Sequence, residues 1–395
     1  MWIPRLLGNE NPEALPWAEL WMGVHPDAPS MVQTDNGETS LSGVIESDPV
    51  YYLGEQTAEK FGGLPFLFKL LAAEQPLSIQ AHPSLSQARD GYQRENLAGL
   101  ARDDLKRNYK DPNHKPELIC ALTPFTGMCG FRRPPEICLL MDDFLGGREN
   151  AAPESLRSGM TPLINFLKDD DEAAALKNFF HALFALNAGL RGELSEYIIR
   201  EGARRAAEPL GTGALSPEWN QMMRFAKLYP ADPAVISPLY LNLFTLEPGE
   251  ALFLPAGTLH AYIDGFGVEL MANSDNVLRG GLTSKHVDIA ELLKILNFSP
   301  RPPEIIRPPE PCANWTYPAP CGEFSLSALR GKGTDTEFCE SGPAICIVLS
   351  GELEICGQQD AALFKAGQSV FIPPARRPRI FRGDYAAYLA APGQL

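Results

Sequence analysis

The chain reads as mainly β with an α insert: two jelly-roll barrels plus a helical domain. Three observations carry that expectation. Short apolar runs with a period of two, punctuated by Pro and Gly, fill residues 64–131 and return from residue 241 onward. Between them, Leu176, Phe179, Phe180, Leu183 and Phe184 keep the i, i+3, i+4, i+7, i+8 spacing of a buried helix stripe. Finally, Gly367-Gln368-Ser369-Val370-Phe371-Ile372-Pro373-Pro374 echoes Gly249-Glu250-Ala251-Leu252-Phe253-Leu254-Pro255-Ala256. Two similar β-units of short strands suggest paired jelly rolls.

In order along the chain, residues 64–84 read as two strands separated by a turn, and 96–109 as a short helix or ordered loop. Residues 120–131 resume a glycine-punctuated strand pattern. Helices are expected around 162–167, 176–184, 193–206 and 217–228, forming an insert of roughly ninety residues by the extent of the periodic region. Strands return at 241–246, 251–254 and 267–273, with Pro248-Gly249 and Pro255-Ala256-Gly257 as turn chemistry between them. The proline-rich stretch 299–311 reads as a semi-rigid linker. Beyond it, 344–349, 351–356, 369–372 and 386–390 form the second β-unit. The implied division is 1–134 with 235–298 as the catalytic barrel, 135–234 as the insert and 299–395 as the C-terminal barrel.

Composition narrows the function classes. The 395 residues carry 34 Lys+Arg against 49 Asp+Glu, a formal net charge of −15, with no basic block to attract nucleic acid. No apolar run reaches the length of about eighteen residues that a membrane span needs. Met1-Trp2-Ile3-Pro4-Arg5 lacks the regions of a signal peptide, so a cytoplasmic setting is expected. The 8 cysteines contain no Cys-x-x-Cys pair, and several lie in apolar runs, as reduced buried thiols do.

Chemistry concentrates in a few segments. In Ser78-Ile79-Gln80-Ala81-His82-Pro83, alternation points Ser78, Gln80 and His82 to one face. His260 and Tyr262 share a face in the same way. In His114-Lys115-Pro116-Glu117 an extended backbone, which Pro116 favours for the residue before it, pairs Lys115 with Glu117. Two imidazoles and a carboxylate suit zinc, iron or manganese, with a glutamine oxygen as a weaker fourth donor. His181, within an apolar run, reads as a core residue, and His25, before Pro26, as a surface or capping one.

Those segments resemble the type I mannose-6-phosphate isomerase family of the cupin superfamily. The motifs are Gln80-Ala81-His82-Pro83, His114-Lys115-Pro116-Glu117, the run from Pro255 to Tyr262 and the run from Glu269 to Thr283. Ala18-Glu19-Leu20-Trp21-Met22-Gly23-Val24-His25-Pro26 is similar as well. By that resemblance the barrels are of cupin type, and Gln80, His82, Glu117 and His260 hold one zinc ion per chain. Arg279, Lys115, His114, Glu269 and Asp275 are then the catalytic candidates; Ser78, Lys115, Tyr262, Arg279 and Lys285 are the substrate contacts. The resemblance implies exchange of mannose 6-phosphate and fructose 6-phosphate through an enediol, in carbohydrate metabolism leading to GDP-mannose. A phosphosugar is the expected partner and a monomer or weak homo-oligomer the expected state. The family begins with a further strand bearing Tyr-x-Trp-Gly, whereas this chain opens at Trp2-Ile3-Pro4-Arg5-Leu6-Leu7-Gly8.

Two other readings use the same residues. His82, His260 and Glu117 would make the facial triad of a jelly-roll oxygenase on iron, but Lys115, Arg279 and Gln80 would then have no purpose. A non-catalytic sugar- or metal-binding barrel is the other, and turnover separates it from an isomerase. For the proton-transfer base, Glu269, His114 and an Asp275–Arg279 pair stand as equal candidates.

Overall fold

The computed structural model describes the chain apart from residues 1, 12, 14, 35–36, 147–151, 208–214, 310–313, 334, 339–341, 358–360, 375–378 and 394–395. Two antiparallel sheet systems dominate it. The first runs in the order Glu19–Met22, Phe66–Ala73, His260–Ala272, Glu117–Ala121, Ala251–Leu254, Ile305–Ile306. Its long strand His260–Ala272 pairs twice. The stretch around 260–264 meets Phe125–Phe131 and Gln80, while the remainder meets Phe66–Ala73 and Glu117–Ala121.

The switch of partners happens at Gly265. Register slips between Tyr262 and Asp264, and Gly265 adopts φ +131°, which lets one strand bend from one set of partners to the other. A Cβ at Gly265 would meet Phe125 Cα and the Pro124 carbonyl at 2.8 Å each.

The second sheet repeats this plan in the order Asn314–Tyr317, Ser325–Lys332, Asp384–Ala391, Ala344–Cys356, Arg379–Arg382, Thr336–Phe338. Ala361–Lys365 and Ser369–Ile372 also pair with Ala344–Cys356. Pairing registers agree between the two sheets. Glu117 lies opposite Leu254, and Ala344 lies opposite Ile372. Glu269 pairs with Lys69 and Ile119, just as Leu389 pairs with Ser327 and Cys346. The helices occupy the place of a short hairpin: Phe125–Phe131 pairs with Leu241–Leu246, where the second sheet has Ala344–Cys356 against Ala361–Lys365.

Alternation gives the first sheet two working faces. Phe66, Phe68, Leu70, Leu118, Val268 and Leu270 point outward into a core shared with Leu326, Ile345, Ile347 and Ala390 of the second sheet. Tyr317 Oη donates to the Gly249 carbonyl at 2.8 Å across that seam. The opposite face carries Lys69, Glu117 and Glu269 beside the apolar lining of Leu71, Ile119 and Tyr262. The insert helices, among them Glu172–Phe184, Ala188–Ala206 and Pro217–Leu228, pack their stripes against Ile79, Met128, Leu259 and Leu278. Among the described residues, no helix is long and apolar enough to cross a membrane.

Three expectations need correction. Helix Leu85–Leu97, closed at its start by a Ser84/Gln87 capping box, lies within the stretch 64–131 read as strand-like runs, while 98–109 takes the loop alternative of the two expected there. The proline-rich stretch is more than a linker, because Ile305–Ile306 adds a strand to the first sheet beside Ala251–Leu254; its residues 310–311 lie outside the described residues. Strands expected separately at 344–349 and 351–356 are the single strand Ala344–Cys356, turned at Gly351 with φ +73°. The described cysteines are free thiols, and Cys312 and Cys339 fall outside the described residues.

The bend at Gly265 is directly testable. Gly265→Ala adds a methyl against Phe125 at a φ that alanine resists, and should cost about 2–4 kcal/mol. Thermal melting would show this as a drop of several degrees, while an unshifted midpoint would mean that the bend does not need glycine.

Candidate metal centre and substrate cavity

Strand alternation brings the ligand candidates to one point. Gln80 sits opposite His260 in the ladder, Glu117 opens the strand Glu117–Ala121, and His82 follows directly after Gln80–Ala81. Nitrogen and oxygen atoms of His82, Glu117 and His260 all lie within 4.8 Å of one another. Glu117 Oε1 is 3.3 Å from His82 Nε2, and its Oε2 is 3.4 Å from His260 Nε2. The Gln80 amide lies 3.5 Å from His260 Nε2. The three residues are only 2%, 1% and 1% exposed.

Each imidazole is held in one tautomer by a backbone carbonyl. His82 Nδ1 donates to the Asn276 carbonyl at 2.7 Å, and His260 Nδ1 donates to that of Thr258 at 2.9 Å. Both Nε2 lone pairs are therefore left facing carboxylate oxygens. Accordingly His82 Nε2 and Glu117 Oε2 are buried without a hydrogen-bond partner. Lone pairs aimed at an anion repel; a cation among them turns the same atoms into a donor set of nitrogen and oxygen that suits zinc. Charge states agree with this. Burial pushes His82 down to about 4. Burial works to raise Glu117, but Lys115, His82 and His260 outweigh it and hold the carboxylate well below its usual range.

A cavity of about 370 Å³ opens over this cluster. Gln80, Glu117, Tyr262 and Lys115 form its floor, with Lys115 Nζ 2.9 Å from Glu117 Oε1. One wall is a buried ion pair, Lys69 Nζ to Glu269 Oε2 at 3.1 Å, with Glu19 3.7 Å from the same ammonium. Burial raises the Glu269 carboxyl and Lys69 offsets only part of that, while Glu269 and Glu19 hold the Lys69 ammonium above its ordinary value despite burial. The lining also includes Arg279, next to Gln80 in the ladder, whose Nε is buried without a hydrogen-bond partner and whose guanidinium burial pulls below its ordinary value. No ion pair to Arg279 occurs among the described residues. Ser78, Thr283, Ser284 and Lys285 complete the rim.

Two catalytic candidates are not brought to the cavity. His114 alternates away from Lys115 and Glu117, and its Nε2 meets Glu323 Oε1 at 2.7 Å in the second sheet unit. Asp275 pairs with His25 Nε2 at 2.9 Å and Arg102 at 3.3 Å, so the Asp275–Arg279 pair does not form. His25 is thereby buried rather than on the surface, its capping alternative fitting the Asp27 N–H that donates to Nδ1 at 3.2 Å, and His181 is exposed rather than in the core. His25, Asp27 and Asp275 do cluster, but His25 spends both ring nitrogens on Asp275 and the Asp27 N–H.

The sequence reading overlooked Lys69, Glu19 and Tyr229 in the cavity wall. A signal for Lys69 was present: a single lysine at alternating register inside Phe66-Leu67-Phe68-Lys69-Leu70-Leu71, which a buried strand tolerates only with a partner. For Tyr229 there was none, since only tertiary packing of the insert carries it there.

Comparison with known proteins agrees with this arrangement. Residues 3–134 match the family model for the catalytic domain of type I phosphomannose isomerase. The chain is 38% identical over 384 residues to mannose-6-phosphate isomerase of Escherichia coli (strain K12), spanning 96% of this chain and 93% of that protein. Against the mannose-6-phosphate isomerase of Homo sapiens it is 33% identical over 356 residues, spanning 85% and 79%. A zinc-bound holo mannose 6-phosphate isomerase structure aligns with a TM-score of 0.87 at 35% identity, covering 99% of this chain and 95% of that one. A mutant of phosphomannose isomerase from Salmonella typhimurium reaches a TM-score of 0.88 at 34% identity over the same shares. A likeness that extends at this level through the first sheet, helical insert and second sheet alike makes the chain a member of the type I phosphomannose isomerase family.

Proposed function

We propose that the protein is a zinc-dependent aldose–ketose isomerase that interconverts D-mannose 6-phosphate and D-fructose 6-phosphate through an enediol. One observation carries the reading: two tautomer-fixed imidazoles converge on Glu117, a carboxylate in the floor of a cavity that also holds Arg279, which has no acidic partner among the described residues. Gln80, His82, Glu117 and His260 would hold one zinc ion. When bound, it supplies Lewis acidity toward the sugar oxygens where negative charge develops.

The remaining groups divide the work. Arg279 offers a planar fork and Lys285 a mobile ammonium for the phosphate, with Ser78 and Tyr262 contacting the sugar. Lys115 balances the Glu117 charge and lies beside the reacting oxygens. Glu269 is the base we favour: it takes the C2 proton and returns it to C1, while a proton moves between the oxygens on those carbons. Its raised carboxyl affinity for protons suits that exchange, and the Lys69 ammonium 3.1 Å away steadies the anion. His114 and Asp275 would serve structure instead.

The same reading covers architecture and setting. We take the two sheets as cupin-type jelly rolls, divided as 1–134 with 235–298, insert 135–234 and C-terminal unit 299–395, with Ile305–Ile306 lent to the first sheet. The C-terminal unit acts as scaffold, because Ala344, Leu389 and Ser327 stand where the first has Glu117, Glu269 and Lys69. A cytoplasmic monomer or weak homo-oligomer fits, and the net charge of −15 speaks against nucleic acid.

Metal content and turnover should fall together in His260→Ala, read by metal analysis and a coupled assay for fructose 6-phosphate; full activity in that variant would refute the metal assignment, and iron with oxygen uptake would favour an oxygenase. Glu269→Gln should retain zinc while kcat drops about 10²–10⁴-fold. In Arg279→Ala, zinc should likewise stay bound and kcat/KM fall about 10²-fold.

Acid should weaken the metal-free protein in a defined window. His82 protonates near 4 when folded against an ordinary 6.5. The unfolded chain takes up that proton first, so stability is present above the ordinary value and is lost as pH falls toward the folded one. Denaturant midpoints of chelator-treated protein should decline across that interval, and a flat profile would contradict the burial of a neutral His82.

A further inference from the structure

The cavity rim beyond Arg279 is held in a backbone conformation that its own residues disfavour, and the group holding it comes from the helical insert. Leu282 lies in the left-handed region at φ +51°, and among the described non-glycine residues only Ala231, at φ +63°, shares it. Asp232 links the two. Its Oδ2 accepts the Leu282 N–H at 2.7 Å and its Oδ1 accepts the Ala234 N–H at 2.9 Å, and the Thr283 N–H dipole also favours the carboxylate anion.

Both ends of this clasp are anchored. The Ala231 N–H donates to Ser195 Oγ at 3.0 Å, on helix Ala188–Ala206. On the barrel side, the Gly280 N–H donates to the Ile79 carbonyl at 2.7 Å, and the Ile79 N–H to that of Gly281 at 3.0 Å. Gly281 lets the insert approach, since a Cβ there would lie 2.3 Å from that of Ala234. Strained residues persist where their surroundings over-determine them, and they gather at functional sites.

We propose that Asp232 is a positioning residue that fixes the strap 282–285, so that Thr283, Ser284 and Lys285 form a phosphate-binding rim together with Arg279. The inference rests on the isomerase reading and assigns the helical insert a part in selecting phosphorylated sugars. Hydroxyls, an ammonium and a guanidinium fork with no acidic partner among the described residues match a tetrahedral dianion, and the Lys285 N–H donating to Thr283 Oγ1 at 3.1 Å closes the strap into a turn.

Steady-state kinetics on the zinc-loaded full chain tests it, with mannose 6-phosphate as substrate and with inorganic phosphate and free mannose as inhibitors. Asp232→Asn leaves one accepting oxygen where the Leu282 N–H of the strap and the Ala234 N–H of the insert each have one. KM and the inhibition constant for inorganic phosphate should rise together by about tenfold. The constant for mannose, the zinc content and kcat should stay within about twofold, a split that general destabilisation does not produce. Ala231→Gly keeps the carboxylate and removes the strain beside it, and should match the wild type throughout.

An unchanged KM in folded Asp232→Asn protein overturns the proposal, as does equal weakening toward phosphate and mannose. If that variant does not fold, hydrogen exchange on the wild type decides. Inorganic phosphate should slow exchange in the peptide covering 279–286, and no response there overturns the proposal. Wild-type protein unable to isomerise mannose 6-phosphate would instead refute the functional reading itself.

Discussion

The hydrogen bond from His82 Nδ1 to the Asn276 carbonyl is the contact on which the rest of the site depends. It decides which nitrogen of His82 carries a proton, and therefore whether a lone pair faces Glu117. Asn276 can bear that role because it is itself immobilised, with no exposed surface. Its side-chain oxygen accepts the Lys110 N–H at 2.7 Å, and its amide donates to the carbonyls of Asp111 at 2.7 Å and Asn113 at 2.8 Å. Asp111 adds contacts to Ser274 Oγ at 2.8 Å and the Asp275 N–H at 2.7 Å. One asparagine thus ties the loop that delivers Lys115 and Glu117 to the loop that delivers Arg279. Irregular backbone buried this deeply must have all its polar groups met, and a side-chain amide can meet donors and acceptors at once.

That constraint also bears on why, among the described residues, only one of the two like-built sheets carries buried charges. Burying Lys69, Glu117 and Glu269 side by side is costly unless each charge has a partner. Lys69 answers Glu269, and Lys115 answers Glu117. In the second sheet the corresponding Ser327, Ala344 and Leu389 require no such answer, and its interior closes around Phe381 and Leu353. What the second unit supplies is a surface: its Ile345, Ile347 and Ala390 bury the outer face of the strands whose inner face carries the charges. A sheet firmly backed on one side holds its side chains on the other within the tolerance that catalysis needs.

Period and motif made the strands, the insert and the four metal-ligand candidates readable from sequence, because each rests on local alternation or on residues adjacent in the chain. His114 misled for the same reason. Standing next to Lys115 in sequence, it points the other way in a strand, and nothing local reveals that Glu323, more than two hundred residues on, is its partner. Asp275 likewise sits four residues before Arg279 and yet turns to His25, a pairing that only the folded loops create. Helix Leu85–Leu97 escaped notice because its exposed polar face outweighs a thin apolar stripe, although Ser84 and Gln87 mark its start. Left-handed Leu282 could not be foreseen at all, since the residue at such a position is ordinarily glycine or asparagine.

The insert's place in the fold follows from the same economy of contacts. It stands where the second sheet has a hairpin, so it enters without breaking any strand and brings Tyr229 to the cavity lining. Its grip on the rim is through backbone: Tyr229 Oη donates to the Pro76 carbonyl at 3.1 Å, Arg224 to the Glu74 carbonyl at 2.6 Å, and Asp232 accepts from Leu282 at 2.7 Å. Holding a rim by its main chain leaves Ser78, Ser284 and Lys285 to line the cavity with their side chains uncommitted to the insert, and the Thr283 hydroxyl oxygen accepts only the Lys285 N–H of its own strap. A rim held by its side chains would have had to surrender those groups, and a polar ligand would then meet atoms already bonded elsewhere.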